Sequence, residues 1–106
     1  LLGPSGAIDL CHLGLGDDGH TASLVPGDVS LSVLDRDVAI TGLYQKRNRM
    51  TLTYPMLNRA RGLLWVVTGE SKRDALAKLL AADPSIPAGR VEQANAVVLA
   101  DATTQN

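Results

Sequence analysis

Short apolar runs separated by polar and glycine-rich stretches mark the predicted strands of this chain. Residues 8–13 and 63–68 are almost continuously apolar, which is typical of strands buried on both faces of a parallel sheet. Residues 49–54 alternate polar and apolar side chains, as a strand with one face on the core does. Two further short strands are predicted at 38–41 and 96–99.

Helical patterns fill the stretches between these strands. The segment 71–82 carries apolar side chains at helical spacing and charged residues elsewhere. Pro55 suits the first turn of a second helix, which runs to Ala60 and ends before Gly62, and we also expect a helical turn over 21–24. The alternation of strands and helices predicts a layered α/β/α domain with a mostly parallel sheet.

The composition narrows the class of protein further. The 106 residues are 45% hydrophobic and 20% charged with a formal net charge of −1, so nucleic-acid binding driven by bulk positive charge is excluded. No apolar run approaches the roughly 18 residues needed to cross a bilayer, and no signal peptide opens the chain. The single cysteine, Cys11, excludes an internal disulfide, which fits a cytoplasmic protein. Because the chain starts with Leu1 and not Met, we expect a processed chain or a piece of a longer one.

The stretch after the first predicted strand, Gly14-Leu15-Gly16-Asp17-Asp18-Gly19-His20-Thr21, is the richest in chemistry. Ligands of open α/β sheets bind beyond the carboxyl ends of the strands, where this loop lies. Its glycines allow sharp turns and close approach of a ligand, so the amides of Gly16 to Gly19 are candidate donors to an anion. The glycine spacing also matches a dinucleotide-binding pattern, but that match is weak, because Asp35 and Asp37 do not follow a convincing second strand of such a unit.

His20 is the candidate proton-transfer residue of this loop. Imidazole titrates near neutral pH, so His20 can accept and donate protons, and Asp18 can orient its ring. The alternative is that His20 caps the following turn while Asp18 accepts hydrogen bonds from loop amides. Spacing alone leaves both readings open. The other histidine, His12, lies inside an apolar strand, and we interpret it as a core or interface residue.

Lys72 stands where a cation is unexpected. It lies near the start of the predicted helix 71–82, the end of a helix that favours anions. Either Lys72 points into solvent, or it faces a bound anion such as a phosphate together with exposed amides. The position of Lys72 in the sequence, taken alone, favours the first alternative, in which its side chain points into solvent.

Four collinear segments resemble the 6-phosphogluconolactonase family. The loop 14–24, followed by Pro26-Gly27, is similar to the signature loop of that family. Residues 49–60 resemble its R-x-T-L-T … L-N-x-A segment, residues 67–72 its V-x-G-x-x-K segment and residues 84–91 its P-x-x-P-x-x-x-V loop. The resemblance covers essentially the whole chain.

This resemblance implies hydrolysis of 6-phospho-D-glucono-1,5-lactone to 6-phosphogluconate, in the oxidative pentose phosphate pathway, without a redox cofactor; we also expect no metal site. It implies that His20 is the general acid/base that activates water, with Asp18 beside it. It also implies that Lys72 holds the sugar phosphate, which reverses the interpretation from position alone. With the loop residues included, the expected substrate-binding residues are Gly16, Asp17, Gly19, Arg49 and Lys72.

Three departures from the related families shape the expectation. Glucosamine-6-phosphate deaminases carry a glutamate five residues after the histidine, where this chain has Val25, so the resemblance favours a lactonase. A deaminase or isomerase, or an inactive sugar-phosphate-binding fragment, are the alternatives. Lactonases are longer than this chain, so we expect residues 1–106 to be the C-terminal portion of one lactonase-like domain, with the N-terminal half of the same enzyme as its partner. Lys46 lies in a stretch that departs from the family pattern and receives no family role.

Overall fold

Five strands and two α-helices form in the described part of the chain, residues 6–43 and 47–101 of this computed structural model. The elements in chain order are β1 (Cys11–Leu13), β2 (Val38–Ile40), β3 (Met50–Leu52), α1 (Tyr54–Arg59), β4 (Leu63–Val67), α2 (Arg73–Leu80) and β5 (Ala96–Ala100). Short 3-10 helices occupy Val29–Ser32, Glu70–Lys72 and Pro87–Arg90.

A three-stranded parallel sheet is the centre of the fold. Its order is β1-β4-β5, and β4 pairs with both neighbours, so that Leu63 lies opposite Cys11 on one side and Ala96 on the other. Strands β2 and β3 form a separate antiparallel pair. The prediction of an α/β fold with a mostly parallel sheet is confirmed, because both strand pairs of the larger sheet are parallel.

One face of this sheet carries the hydrophobic core. Leu63, Trp65 and Val67 alternate along β4 toward that face, and Trp65 is only 1% exposed. Both helices contribute to the same core cluster, α1 through Leu57 and α2 through Leu76. Right-handed crossovers that move in one direction across a sheet, here from β1 to β4 to β5, place their helices on the same side.

The opposite face of the sheet is open within the described residues. Val66, Val97 and Leu99 belong to that face and are 38%, 56% and 54% exposed. His12 pairs with Leu64 in the same register and is exposed as well. Of the two placements expected for His12, the core is therefore wrong, and the interface stays a prediction. The apolar side chains on this face are those of a sheet that is normally covered on both sides.

The segment 21–24 is a tight turn and not the predicted helical turn. Thr21 and Leu24 exchange both backbone hydrogen bonds, at 3.2 and 2.8 Å, around a two-residue loop. Ala22, the first loop position, has φ +50°, a conformation that such hairpin turns require. The chain therefore reverses immediately after His20.

Both α-helices are short, with 6 residues in α1 and 8 in α2. The helix predicted over 71–82 begins with a 3-10 turn and ends at Leu80, because Ala82 adopts the left-handed conformation with φ +52° that terminates helices. None of the helices within residues 6–43 and 47–101 has the length and apolar character needed to span a membrane.

We expect the chain of residues 1–106 on its own to self-associate through the open sheet face. Replacing Val97 and Leu99 with Thr should reduce this association, because the change removes exposed apolar surface and keeps a residue that favours strands. Sedimentation velocity over a range of concentrations measures the effect. As a matched control, Val98→Thr changes the core side of the same strand and should lower the thermal midpoint without reducing association. A chain that stays monomeric at every concentration contradicts the prediction.

Candidate functional site

Two chain segments meet at one edge of the sheet because they follow neighbouring parallel strands. The loop 14–20 follows β1, and the segment 68–72 follows β4. A cavity of about 370 Å³ lies between them, lined by Gly14, Leu15, Gly16, His20, Ala22 and Lys72. An adjoining cavity of about 360 Å³ is lined by Gly16, Asp17, Asp18, His20 and Lys72. We refer to the two together as the site cavities.

A hydrogen bond joins the His20 ring to the Asp18 carboxylate. The Nδ1 atom of His20 lies 2.6 Å from Oδ1 of Asp18, and the backbone N–H of His20 donates to the same oxygen at 3.0 Å. An ionised carboxylate only accepts, so the neutral imidazole donates its Nδ1–H and carries its lone pair on Nε2. Asp18 thus performs both roles considered from the sequence, since it orients the ring and accepts a bond from a loop amide.

The Asp18 carboxyl is a stronger acid than an ordinary aspartate. Partial burial raises its pKa, but the hydrogen bonds from the backbone and the ring of His20 outweigh burial and bring the pKa below the ordinary value. Asp18 is therefore ionised throughout the neutral range, and the orientation that it imposes on the His20 ring is maintained there.

Two glycines of the loop are required for steric reasons. A Cβ on Gly16 would overlap the His20 ring, so only glycine lets the imidazole lie against the backbone at this point. Gly19 has φ +87°, and a Cβ there would overlap Ile86. The Gly19 carbonyl accepts a hydrogen bond from the N–H of Ala88 at 3.0 Å. The segment 83–91 therefore packs against the loop and helps to hold its conformation.

The loop amides are less available than expected. The N–H of Gly16 donates to the His20 carbonyl and the N–H of Gly19 donates to the Gly16 carbonyl, each at 2.9 Å. Thr21 closes the loop, because its Oγ1 donates to the Gly14 carbonyl at 2.9 Å. Two of the amides considered as anion donors are therefore already used within the loop, while Gly16 lines the site cavities with its backbone.

Lys72 faces the loop and not the solvent. Its Nζ atom lies 2.9 Å from Oδ1 of Asp17, and its side chain is 27% exposed. The hydroxyl of Ser71 donates to the same Asp17 oxygen at 3.2 Å. The hydrogen bond from Lys72 is the main cause that holds the pKa of Asp17 below its ordinary value. The placement in solvent that position alone favoured is wrong.

Arg49 is not among the residues that line the site cavities. It directly precedes β3, and its backbone N–H donates to Oγ1 of Thr41 at 2.9 Å. Strand β3 reaches the loop two residues later, where Oγ1 of Thr51 accepts from the N–H of Ser23 at 3.1 Å. The structure thus brings five of the predicted residues together at the site cavities: Gly16, Asp17, Asp18, His20 and Lys72. Arg49 is not one of the residues that line these two cavities, and Lys46 lies outside the described residues.

Sequence reasoning missed the residues that support the site from outside the loop. Ser71 contacts Asp17, and its hydroxyl beside Lys72 was the available signal. Ile86 and Ala88 support Gly19 from the start of the 3-10 helix Pro87–Arg90, which is too short to produce a periodic signal in the sequence. In the part of the chain that the structure describes, no three His, Cys, Asp or Glu side chains are placed to hold a metal ion.

The site places an oriented base and an ammonium on the same cavities. Nε2 of His20 can take a proton from water, because the Asp18 carboxylate stabilises the imidazolium that forms. Lys72 can hold a negatively charged group of a ligand. This combination suits hydrolysis of a small anionic substrate.

Comparison with known proteins gives consistent matches. The model of the family described as glucosamine-6-phosphate isomerases/6-phosphogluconolactonase matches residues 2–100. The 6-phosphogluconolactonase of Synechocystis sp. is 49% identical over 80 residues, which cover 74% of this chain and 33% of that relative. The solved 6-phosphogluconolactonase structure from Trypanosoma cruzi has a TM-score of 0.79 at 29% identity, covering 92% of this chain and 40% of that chain. The corresponding structure from Thermotoga maritima has a TM-score of 0.73 at 32% identity, covering 89% and 43%.

In each of these matches, this chain covers less than half of the matched protein. This chain spans about a third of the length of the curated relatives it matches. The solved structures that it resembles likewise extend well beyond the matched part, since 40% and 43% of their chains are covered.

We expect Gly16→Ala to displace the His20 ring from Asp18, because the added methyl group occupies the space of the imidazole. Nitrogen NMR of the His20 ring reports the change, since the Nδ1 resonance depends on its hydrogen bond. Gly14→Ala is the matched control: Gly14 lines the same cavity, but a Cβ there meets no atom within 4 Å. Equal spectra for the two variants would show that the steric role of Gly16 is wrong.

Acid titration should show Asp18 losing its charge below the ordinary pKa of about 3.9 for aspartate. Because its native pKa is lowered, the pair with His20 stabilises the fold above the ordinary value, and this contribution is lost as the pH falls through the native pKa. Carbon NMR of the Asp18 carboxyl gives the midpoint directly. In a His20→Asn variant the midpoint should rise, since the bond from the ring is removed; an unchanged midpoint contradicts the assignment.

Proposed function

The chain belongs to the glucosamine-6-phosphate isomerase/6-phosphogluconolactonase family, and we propose that the protein carrying it hydrolyses 6-phospho-D-glucono-1,5-lactone to 6-phosphogluconate. The observation that carries the proposal is the His20–Asp18 pair, which shares the site cavities with Lys72. Relatives named 6-phosphogluconolactonase at 40–50% identity support the choice of substrate.

In the proposed reaction His20 transfers one proton through Nε2. Nε2 takes a proton from water as the water oxygen bonds to the carbonyl carbon of the lactone. When the ring C–O bond breaks, Nε2 returns that proton to the ring oxygen, which becomes a hydroxyl group. The carboxylic acid that forms loses its remaining proton to solvent. Asp18 stabilises the transient imidazolium and keeps the ring in position.

Lys72 is the proposed anchor for the substrate phosphate. Its ammonium lines both site cavities together with His20, so a substrate that spans them can contact both side chains. Arg49 is the second proposed phosphate ligand and rests on the resemblance of its segment to the lactonase pattern. Gly16 and Asp17 line the same cavity as His20 and Lys72, and Gly19 adopts the positive φ that the loop requires.

The remainder of the proposal concerns the whole protein. Because this chain spans about a third of its relatives, we propose that residues 1–106 form one portion of a larger lactonase domain and that the rest of the same polypeptide completes the substrate pocket. We also propose a cytoplasmic location, which the buried free thiol of Cys11 supports.

A glucosamine-6-phosphate deaminase is the second candidate. A monomeric enzyme of that class shares the fold, with a TM-score of 0.75 at 20% identity. The position five residues after His20 holds Val25, an apolar side chain that is 7% exposed, where the resemblance to deaminases calls for a glutamate. The lactonase is therefore the better-supported function.

In the complete protein that carries this sequence, His20→Asn should lower kcat/KM for the phosphorylated lactone at least about a hundredfold, because the imidazole that accepts the proton in the proposed reaction is removed. Acid release in a pH-stat, corrected for spontaneous hydrolysis, measures the rate, and circular dichroism checks that the fold is retained. His12→Asn is the matched control, since His12 is exposed on the open sheet face, and it should leave the rate unchanged.

Two results would overturn the proposal. Undiminished hydrolysis by His20→Asn would remove the role of His20. Release of ammonia from glucosamine 6-phosphate, without hydrolysis of the lactone, would establish the deaminase instead.

A further inference from the structure

The ammonium of Lys72 is already paired with a carboxylate of the same site. Oδ1 of Asp17 lies 2.9 Å from Nζ of Lys72 and also accepts a hydrogen bond from the Ser71 hydroxyl at 3.2 Å. Asp17 is the more exposed partner, with 62% of its side chain accessible against 27% for Lys72. Any anion that approaches Lys72 is therefore repelled by the Asp17 carboxylate, which already contacts the ammonium.

The charges that line the site cavities are unfavourable for an anionic ligand. Among the described lining residues the ionisable groups are Asp17, Asp18, His20 and Lys72. With the imidazole neutral, two carboxylates against one ammonium leave a net charge of −1. The Asp18 carboxylate orients His20. The Asp17 carboxylate contacts Lys72, and its charge has no part in orienting His20.

In the proposed reaction, the excess negative charge of the site acts differently on the substrate and on the product. Lactone hydrolysis converts an uncharged ester group into a carboxylate, so the product carries one negative charge more than the substrate. Like charges a few ångströms apart at a partly exposed site repel each other measurably. Repulsion from Asp17 opposes binding of the product more than binding of the substrate, because the product carries the additional negative charge.

We propose that Asp17 is a counter-charge that weakens the hold of Lys72 on anionic ligands and thereby favours release of the product. The inference rests on the proposed lactonase function for the identity of the product. Its physical part, the competition between Asp17 and an anion for Lys72, does not depend on turnover.

The test compares the complete wild-type protein with Asp17→Asn, which keeps the shape of the side chain and removes its charge. Titration with inorganic phosphate, followed by calorimetry, should show a dissociation constant about tenfold lower in the variant. The inhibition constant of 6-phosphogluconate should fall by at least the same factor. Both gains should shrink as the salt concentration rises, because exposed charges are screened.

Asp74→Asn is the matched control. Asp74 lies in the first turn of α2, two residues from Lys72, and the variant carries the same change in net charge without altering a residue that lines the site cavities. It should leave phosphate affinity within about twofold of the wild type. An equal gain in Asp74→Asn would show that net charge alone is responsible and overturns the role of Asp17.

A loss of phosphate affinity in Asp17→Asn, or no change, also overturns the inference. A loss would mean that Asp17 serves to hold Lys72 in place. A merely structural role cannot produce the expected gain. The proposed function is judged separately by lactone hydrolysis in the wild type, so failure of one leaves the other standing.

Discussion

The parallel pairing of β4 with strands on both sides is the constraint on which the described structure depends. Parallel neighbours require crossover connections, and these connections supply α1 between β1 and β4 and α2 between β4 and β5. Both helices pack on the face that carries Trp65, so one sheet strand determines where the core lies. The same pairing aligns the carboxyl ends of β1 and β4, which is why two segments distant in sequence form one site.

The site combines one local interaction with one long-range interaction, and they serve different purposes. Asp18 and His20 are two residues apart, so the orientation of the base is encoded within the loop itself. The pairing of Asp17 with Lys72 joins separate connections and exists only because β1 and β4 are neighbours. In the proposed reaction, proton transfer thus depends mainly on the geometry of the loop, including the absence of a side chain at Gly16. The proposed contact of Lys72 with an anion depends on the pairing of β1 with β4.

The parts of this structure that could be predicted from sequence are those with a strong periodic signal. The apolar run that became β4 and the amphipathic stretch that became α2 were placed correctly, because burial on a sheet or helix imposes a regular pattern. The turn over 21–24 was predicted wrongly, since Ala22 adopts a conformation that alanine seldom favours and that no pattern announces. Lys72 could not be placed from position alone, because its partner Asp17 lies on another connection. The support of Gly19 by Ala88 could not be predicted either, because it is a contact between a loop and a short 3-10 helix that are distant in the sequence.

The reach of the contacts that hold the histidine loop has a consequence for the order of folding. The hydrogen bond between Asp17 and Ser71 links positions 54 residues apart, and the bond between Gly19 and Ala88 spans a longer stretch still. Closing such long stretches costs chain entropy that is repaid only when the intervening strands have paired. We therefore expect the secondary structure and the Trp65 core to form before the loop gains its contacts with Ser71 and Ala88. We accordingly expect the geometry of the site cavities to be among the last features of the described residues to form during folding.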